Sequence, residues 1–144
     1  DGEEAPRLAR AATSLLRHYR GRYALMSFHP GVLKEVRKLA PETTIGLLSC
    51  RFDDEESRQR LTDGERLALR HLLPALSLRP DYIAYDVAAL PAMAPTMMRT
   101  LSGKPVIAWT VRTPEERQRA ARSADQIIFE GFDPDAVSSG ASRS

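Results

Sequence analysis

Ser27 is the residue nearest in type to a nucleophile. It stands in Ser27-Phe28-His29, outside any Gly-x-Ser-x-Gly turn, and the sequence places no His–acid pair beside it. A serine nucleophile needs a base to take its proton. Its residue type therefore suits hydrogen bonding, to a phosphate oxygen or to a neighbouring strand end. His29 precedes Pro30 and reads as a helix start rather than as an acid or base. His18 and His71 fall on amphipathic stretches as surface or packing residues. Asp86 and Glu130 alone among the carboxylates fall at the ends of apolar runs. A divalent-cation site gathers several oxygen ligands, and two acids on separate runs do not make one. "FDDEES", residues 52 to 57, is acidic but lacks the alternating acids, turn glycine and closing Glu of a calcium loop. It reads as a solvated charged loop. The spacing assigns no catalytic residue and no metal ligand.

Composition narrows the class further. A chain of 144 residues with 42% hydrophobic content can bury one core. Basic residues number 21 against 19 acidic, and the Arg side chains are spread along helical stretches rather than gathered in a tract. With no RNA-binding aromatic motif either, nothing calls for nucleic acid. No apolar window is long enough for a membrane span. No signal-peptide pattern opens the chain, and Cys50 is the lone cysteine. Both fit a reducing, cytoplasmic compartment. A start at Asp1 rather than Met suggests a fragment or a processed chain.

The elements that must position these residues follow from periodicity. Residues 5–20 read as an amphipathic helix stopped at Gly21. Residues 23–28 read as a strand, and "VLKEVRKLA" as a helix ended before Pro41. "TIGLLS" at 44–49 is a second strand. Thr62 and Glu65 form a capping-box pattern opening a helix over 63–73, and Pro74 and Pro80 flank a connector. "DYIAYDV" is a third strand, and "APTMMRTLSG" a helix ending at Gly103 whose Met93, Met97 and Met98 read as packing. "PVIAWTV" is a fourth strand. Thr113, Pro114 and Glu116 open the next helix, and "DQIIFEG" is a fifth strand. Apolar strands alternating with helices predict a parallel sheet covered on both faces. An open doubly wound sheet and part of a (β/α)8 barrel both fit. The missing glycine-rich phosphate loop counts against a nucleotide-binding open sheet.

Three segments carry a resemblance. They are "ALMSFHPGVLKEVRKLAPETTIGLLS", then "KPVIAWTVRTPEE", then "ADQIIFEGFDP", in that order and spacing. Together they resemble the C-terminal half of the glycerophosphodiester phosphodiesterase family, over about residues 5 to 135. The resemblance implies an α/β fold: about five β/α units, the fourth to eighth strands of a (β/α)8 TIM barrel of the phospholipase C-like phosphodiesterase type. Residues 1–135 would form this part-domain and residues 136–144 a disordered tail.

The family hydrolyses glycerophosphodiesters to an alcohol and glycerol 3-phosphate. It uses a divalent cation, Mg2+ or Ca2+, and two histidines, with motifs His-Arg-Gly, Glu-x-Asp, His-Asp and Glu-x-Lys at the front of the barrel. None of these motifs occurs in this sequence. Where the family often ends its last strand in Thr-Asp, this chain has Phe129 and Glu130. The resemblance therefore implies substrate-binding roles for Trp109, Phe28 and Ser27, with no catalytic residue, no metal ligand and no bound cation in this chain alone. The alternatives are a non-catalytic α/β interaction domain and a half-barrel that self-associates through its open sheet edges.

Overall fold

Thirteen short elements occur among the described residues, with helices between successive strands. The computed structural model describes residues 3–134, so the predicted tail at 136–144 lies outside the described residues. Helix α1 (Glu4–Leu16) precedes β1 (Ala24–Ser27), α2 (Pro30–Leu39) and β2 (Thr44–Ser49). Three short helices follow: α3 (Glu55–Arg60), α4 (Asp63–Arg70) and α5 (Pro74–Leu78). Then come β3 (Tyr82–Asp86), a 3-10 turn (Val87–Ala89), α6 (Met93–Leu101), β4 (Val106–Val111), α7 (Pro114–Ser123) and β5 (Gln126–Phe129).

All four strand pairings are parallel, and the sheet order is β1-β2-β3-β4-β5. Each crossover thus advances in one direction. A doubly wound sheet reverses direction at a switch point, and none exists here, so the winding is that of a barrel. On the concave side, the rings of Phe28, just past β1, and Trp109, on β4, meet with centroids 5.5 Å apart across the two strands between them. The sheet is a curled half-barrel.

Its convex face carries the core. Leu47, Ile83, Tyr85 and Val106 pack outward against Leu33 and Val36 of α2, Leu78 of α5 and Ala120 of α7, all buried. The concave face is formed by the alternate side chains. Met26, Gly46 and Tyr82 lie in one register row, and Leu48, Ala84 and Ile107 in the next. Burial falls toward the edges: β3 has three buried residues in a row, whereas β1 and β5 have none.

Local chemistry explains most boundaries. The capping boxes at Thr62–Glu65 and Thr113–Glu116 both form as the sequence predicts. Other boundaries differ. Helix α1 stops at Leu16, short of Gly21, against which the Tyr19 ring packs. The charged loop after β2 contains α3, because the Asp54 carboxylate accepts from both the Ser57 N–H (2.8 Å) and its hydroxyl (2.6 Å). Pro74 opens α5 instead of a connector, its missing N–H being harmless in a first turn. Of the three methionines predicted to pack, Met98 does so, while Met93 and Met97 are exposed.

One device occurs twice at the strand starts. Asp81, before β3, accepts from the Ile45 N–H of β2 (2.8 Å) and from Arg37 of α2 (3.1 Å). Asp125, before β5, accepts from the Val106 N–H of β4 (2.9 Å) and from Arg99 of α6 (2.8 Å). Each carboxylate fixes the register of a strand pair and ties in the helix leading to the earlier strand. The Val106 N–H, then Arg99, hold the Asp125 carboxyl below its ordinary range. For Asp81 burial is the largest influence and pushes upward, but the Ile45 N–H and Arg37 together outweigh it. A lowered folded pKa adds stability above the unfolded value of about 3.9 and loses it as pH falls through the folded value. Thermal melts should therefore drop steeply below about pH 4. Asp125→Asn should cost roughly 1–3 kcal/mol at neutral pH and flatten that acid limb. An unchanged acid limb would show that the clamp does not govern it.

Candidate functional site

Barrel sites are built where strands end and loops begin. At that end of this sheet three aromatic rings form a line. Trp109 meets Phe28 edge-on at 5.5 Å and 81°, and Phe28 meets Phe52 at 6.1 Å and 82°. Such edge-to-face pairs are favourable beyond simple burial, by about 0.5–1.5 kcal/mol each. Phe28 keeps an exposed face, Trp109 is half-buried and Phe52 is buried. Strand β4 runs two residues past Trp109 to Val111, and the Trp109–Thr110 peptide is cis.

The Trp109 indole carries the most informative atom. Its Nε1 is buried and has no hydrogen-bond partner among the described residues. A buried N–H left without an acceptor costs about 1–3 kcal/mol.

The structure sets Phe28 and Trp109, both candidates for a pocket wall from the sequence, in ring contact, and adds Phe52, which the sequence reading left in a solvated loop. Phe52 sits in "CRFDDEE", where the surrounding charges suggested a solvated loop. The lone large apolar residue in that run was the available signal. Its backbone lies in the left-handed region at φ 53°. That conformation costs a side-chain-bearing residue roughly 1–2 kcal/mol.

Ser27 stands apart from the ring line. Strand alternation turns its side chain away from Phe28's face. Its Oγ accepts from the His29 N–H at 3.0 Å, while its own O–H donates to no group among the described residues. His29 occupies the N-cap position of α2, but its imidazole makes no capping bond. Ser49 is buried and donates to the Leu69 carbonyl at 2.9 Å. Burial pushes the Cys50 thiol up, aided by Asp86, Asp54 and Asp53, so it stays protonated and unreactive near neutral pH.

The two strand-end carboxylates do not converge. Asp86 accepts from the Ala88 N–H at 2.9 Å and so closes its own turn. Glu130 pairs with Arg112 at 2.8 Å. Among the described residues no group of three His, Cys, Asp or Glu side chains could hold a metal ion. The donor set of the described residues does not fit a divalent cation. No described helix is long and apolar enough to cross a membrane.

Comparison with solved structures places the fold. A candidate glycerophosphoryl diester phosphodiesterase of Silicibacter pomeroyi matches with a TM-score of 0.65 and 23% identity, over 90% of this chain and 42% of that one. A glycerophosphodiester phosphodiesterase of Parabacteroides distasonis matches with a TM-score of 0.61 and 18% identity, over 90% and 48%. A phosphodiesterase of Oleispira antarctica, solved with the product sn-glycerol-3-phosphate, matches with a TM-score of 0.62 and 13% identity, over 90% and 47%. The chain therefore has a glycerophosphodiester phosphodiesterase-like fold and spans about half the length of the structures it matches. No protein-family model matches the sequence, and no curated protein matches it.

Proposed function

We propose that this chain forms the substrate wall of a metal-dependent glycerophosphodiester phosphodiesterase, an enzyme releasing an alcohol and glycerol 3-phosphate, in the cytoplasm. The carrying observation is the buried, unpartnered Trp109 Nε1 beside the open face of Phe28. Aromatic faces suit the C–H groups of glycerol, and an indole N–H suits an oxygen of its hydroxyl or phosphate. The kind of solved structure sharing the fold supports the choice of ligand.

The five units contribute no general acid and no ligand set for Mg2+ or Ca2+. In this proposal those groups belong to the three further β/α units that an eight-stranded barrel requires, and the chain alone is inactive. The test is a titration with sn-glycerol 3-phosphate read by the emission of Trp109, the only tryptophan. An assay of glycerol 3-phosphate release from glycerophosphocholine runs beside it. A saturable shift without release is expected. An emission that never saturates would sink the ligand assignment. Release by the chain alone would sink the division of labour.

A second reading, a self-associating or partner-binding α/β domain, is favoured by the open edges at β1 and β5. Leu15 and Leu101, 81% and 76% exposed, add to it. Light scattering decides: a monomer with a cooperative melt excludes self-association.

A further inference from the structure

Beside the strand ends, a cavity of about 610 Å³ lies between the start of α2 and helices α3 and α4. Its walls include Phe28, Pro30, Phe52, Leu61, Ala68 and Leu69. Acidic residues also border it, yet each is already committed. Asp54 caps α3, Glu65 completes the capping box of α4, and Glu56 pairs with Arg60 at 3.2 Å. The cavity therefore offers an apolar volume with few free polar groups, the lining expected for an apolar ligand.

Two features join this cavity to the mouth. Phe28 is a wall of both: one contact of its ring is Trp109, the other is Phe52. Phe52 holds a left-handed backbone that sets its ring in the cavity wall. The line Trp109, Phe28, Phe52 thus runs without a break from the unpartnered indole N–H into the cavity.

We infer that the cavity receives an apolar alcohol substituent of the phosphodiester, so that the preferred substrate class is glycerophosphodiesters of alkyl or aryl alcohols. This rests on the glycerophosphodiester reading above. The glycerophosphoryl group lies at Trp109, and the ester arm passes Phe28 and Phe52 into the space between α3 and α4.

The experiment compares three probes on the whole chain by calorimetry, each below its critical micelle concentration: the methyl and dodecyl esters of sn-glycerol 3-phosphate, and dodecanol. Each buried methylene should tighten binding roughly three- to four-fold until the cavity is filled. The dodecyl ester should therefore bind at least about 100-fold more tightly than the methyl ester. Ala68→Phe, which fills the cavity from α4, should abolish that difference and leave the methyl ester unchanged. Leu61→Asp, at the half-buried C-cap of α3, should do the same by placing a charge in the wall, and it serves if Ala68→Phe fails to fold.

Equal binding of the methyl and dodecyl esters overturns the inference and leaves the site reading intact. A dodecyl preference that survives both variants also overturns it, since the chain then binds elsewhere. Dodecanol binding as tightly as the dodecyl ester keeps the cavity's apolar preference and overturns the glycerophosphoryl reading.

Discussion

Replacing Trp109 with alanine should weaken sn-glycerol 3-phosphate binding by roughly 10- to 100-fold, the cost of losing an aromatic anchor. Trp109→Phe separates the two parts of that loss. It keeps a ring against Phe28 and removes the N–H, whose hydrogen bond is worth about 1 kcal/mol, or roughly five-fold. Calorimetry must read both variants, since each removes the only fluorophore of its kind. If Trp109→Phe binds as the parent does, the buried Nε1 has no ligand role. If Trp109→Ala also binds normally, the strand-end aromatics are packing alone. Melting curves run in parallel keep a folding defect from passing as a binding defect.

Gly46→Ala should destabilise the sheet by about 1–3 kcal/mol, as overpacking does. Gly46 is buried in β2, and a Cβ there would fall 2.2 Å from two ring atoms of Tyr82, its register partner on β3. The ring must leave the concave face to make room. Tyr82→Ala, combined with Gly46→Ala, should recover most of the loss, because the three atoms nearest that Cβ all belong to the Tyr82 ring and its hydroxyl. A double-mutant cycle by thermal or urea melts gives the coupling directly. Additive effects would mean that the ring moves freely and the glycine is incidental.

The strand-helix order was legible because fully buried parallel strands are apolar without interruption, as "TIGLLS" and "VIAWTV" are. Thr62 and Thr113 announced their helices because a capping box is a local, short-range pattern. The winding was not legible, since periodicity is blind to which side of a strand its neighbour takes. The family likeness chose the barrel. Phe28 and Trp109 could be named as candidates from their places at strand ends and from the family likeness. Phe52 could not: its role depends on a single left-handed residue and on a ring from another loop. The end of α1 was misread because Gly21 looked like a stop, whereas the helix ends at Leu16 and Gly21 packs beneath Tyr19.

The strictly consecutive strand order has a consequence for synthesis. Every strand pairs with the one made just before it, so each crossover can dock as it leaves the ribosome, without waiting for a distant partner. Local pairing of this kind shortens the loops that must close and favours quick, stepwise folding. Only the seam between the first-made and last-made edges breaks that rule. In a complete barrel the seam joins residues far apart in the chain, so closing it, rather than building the sheet, should set the pace of maturation.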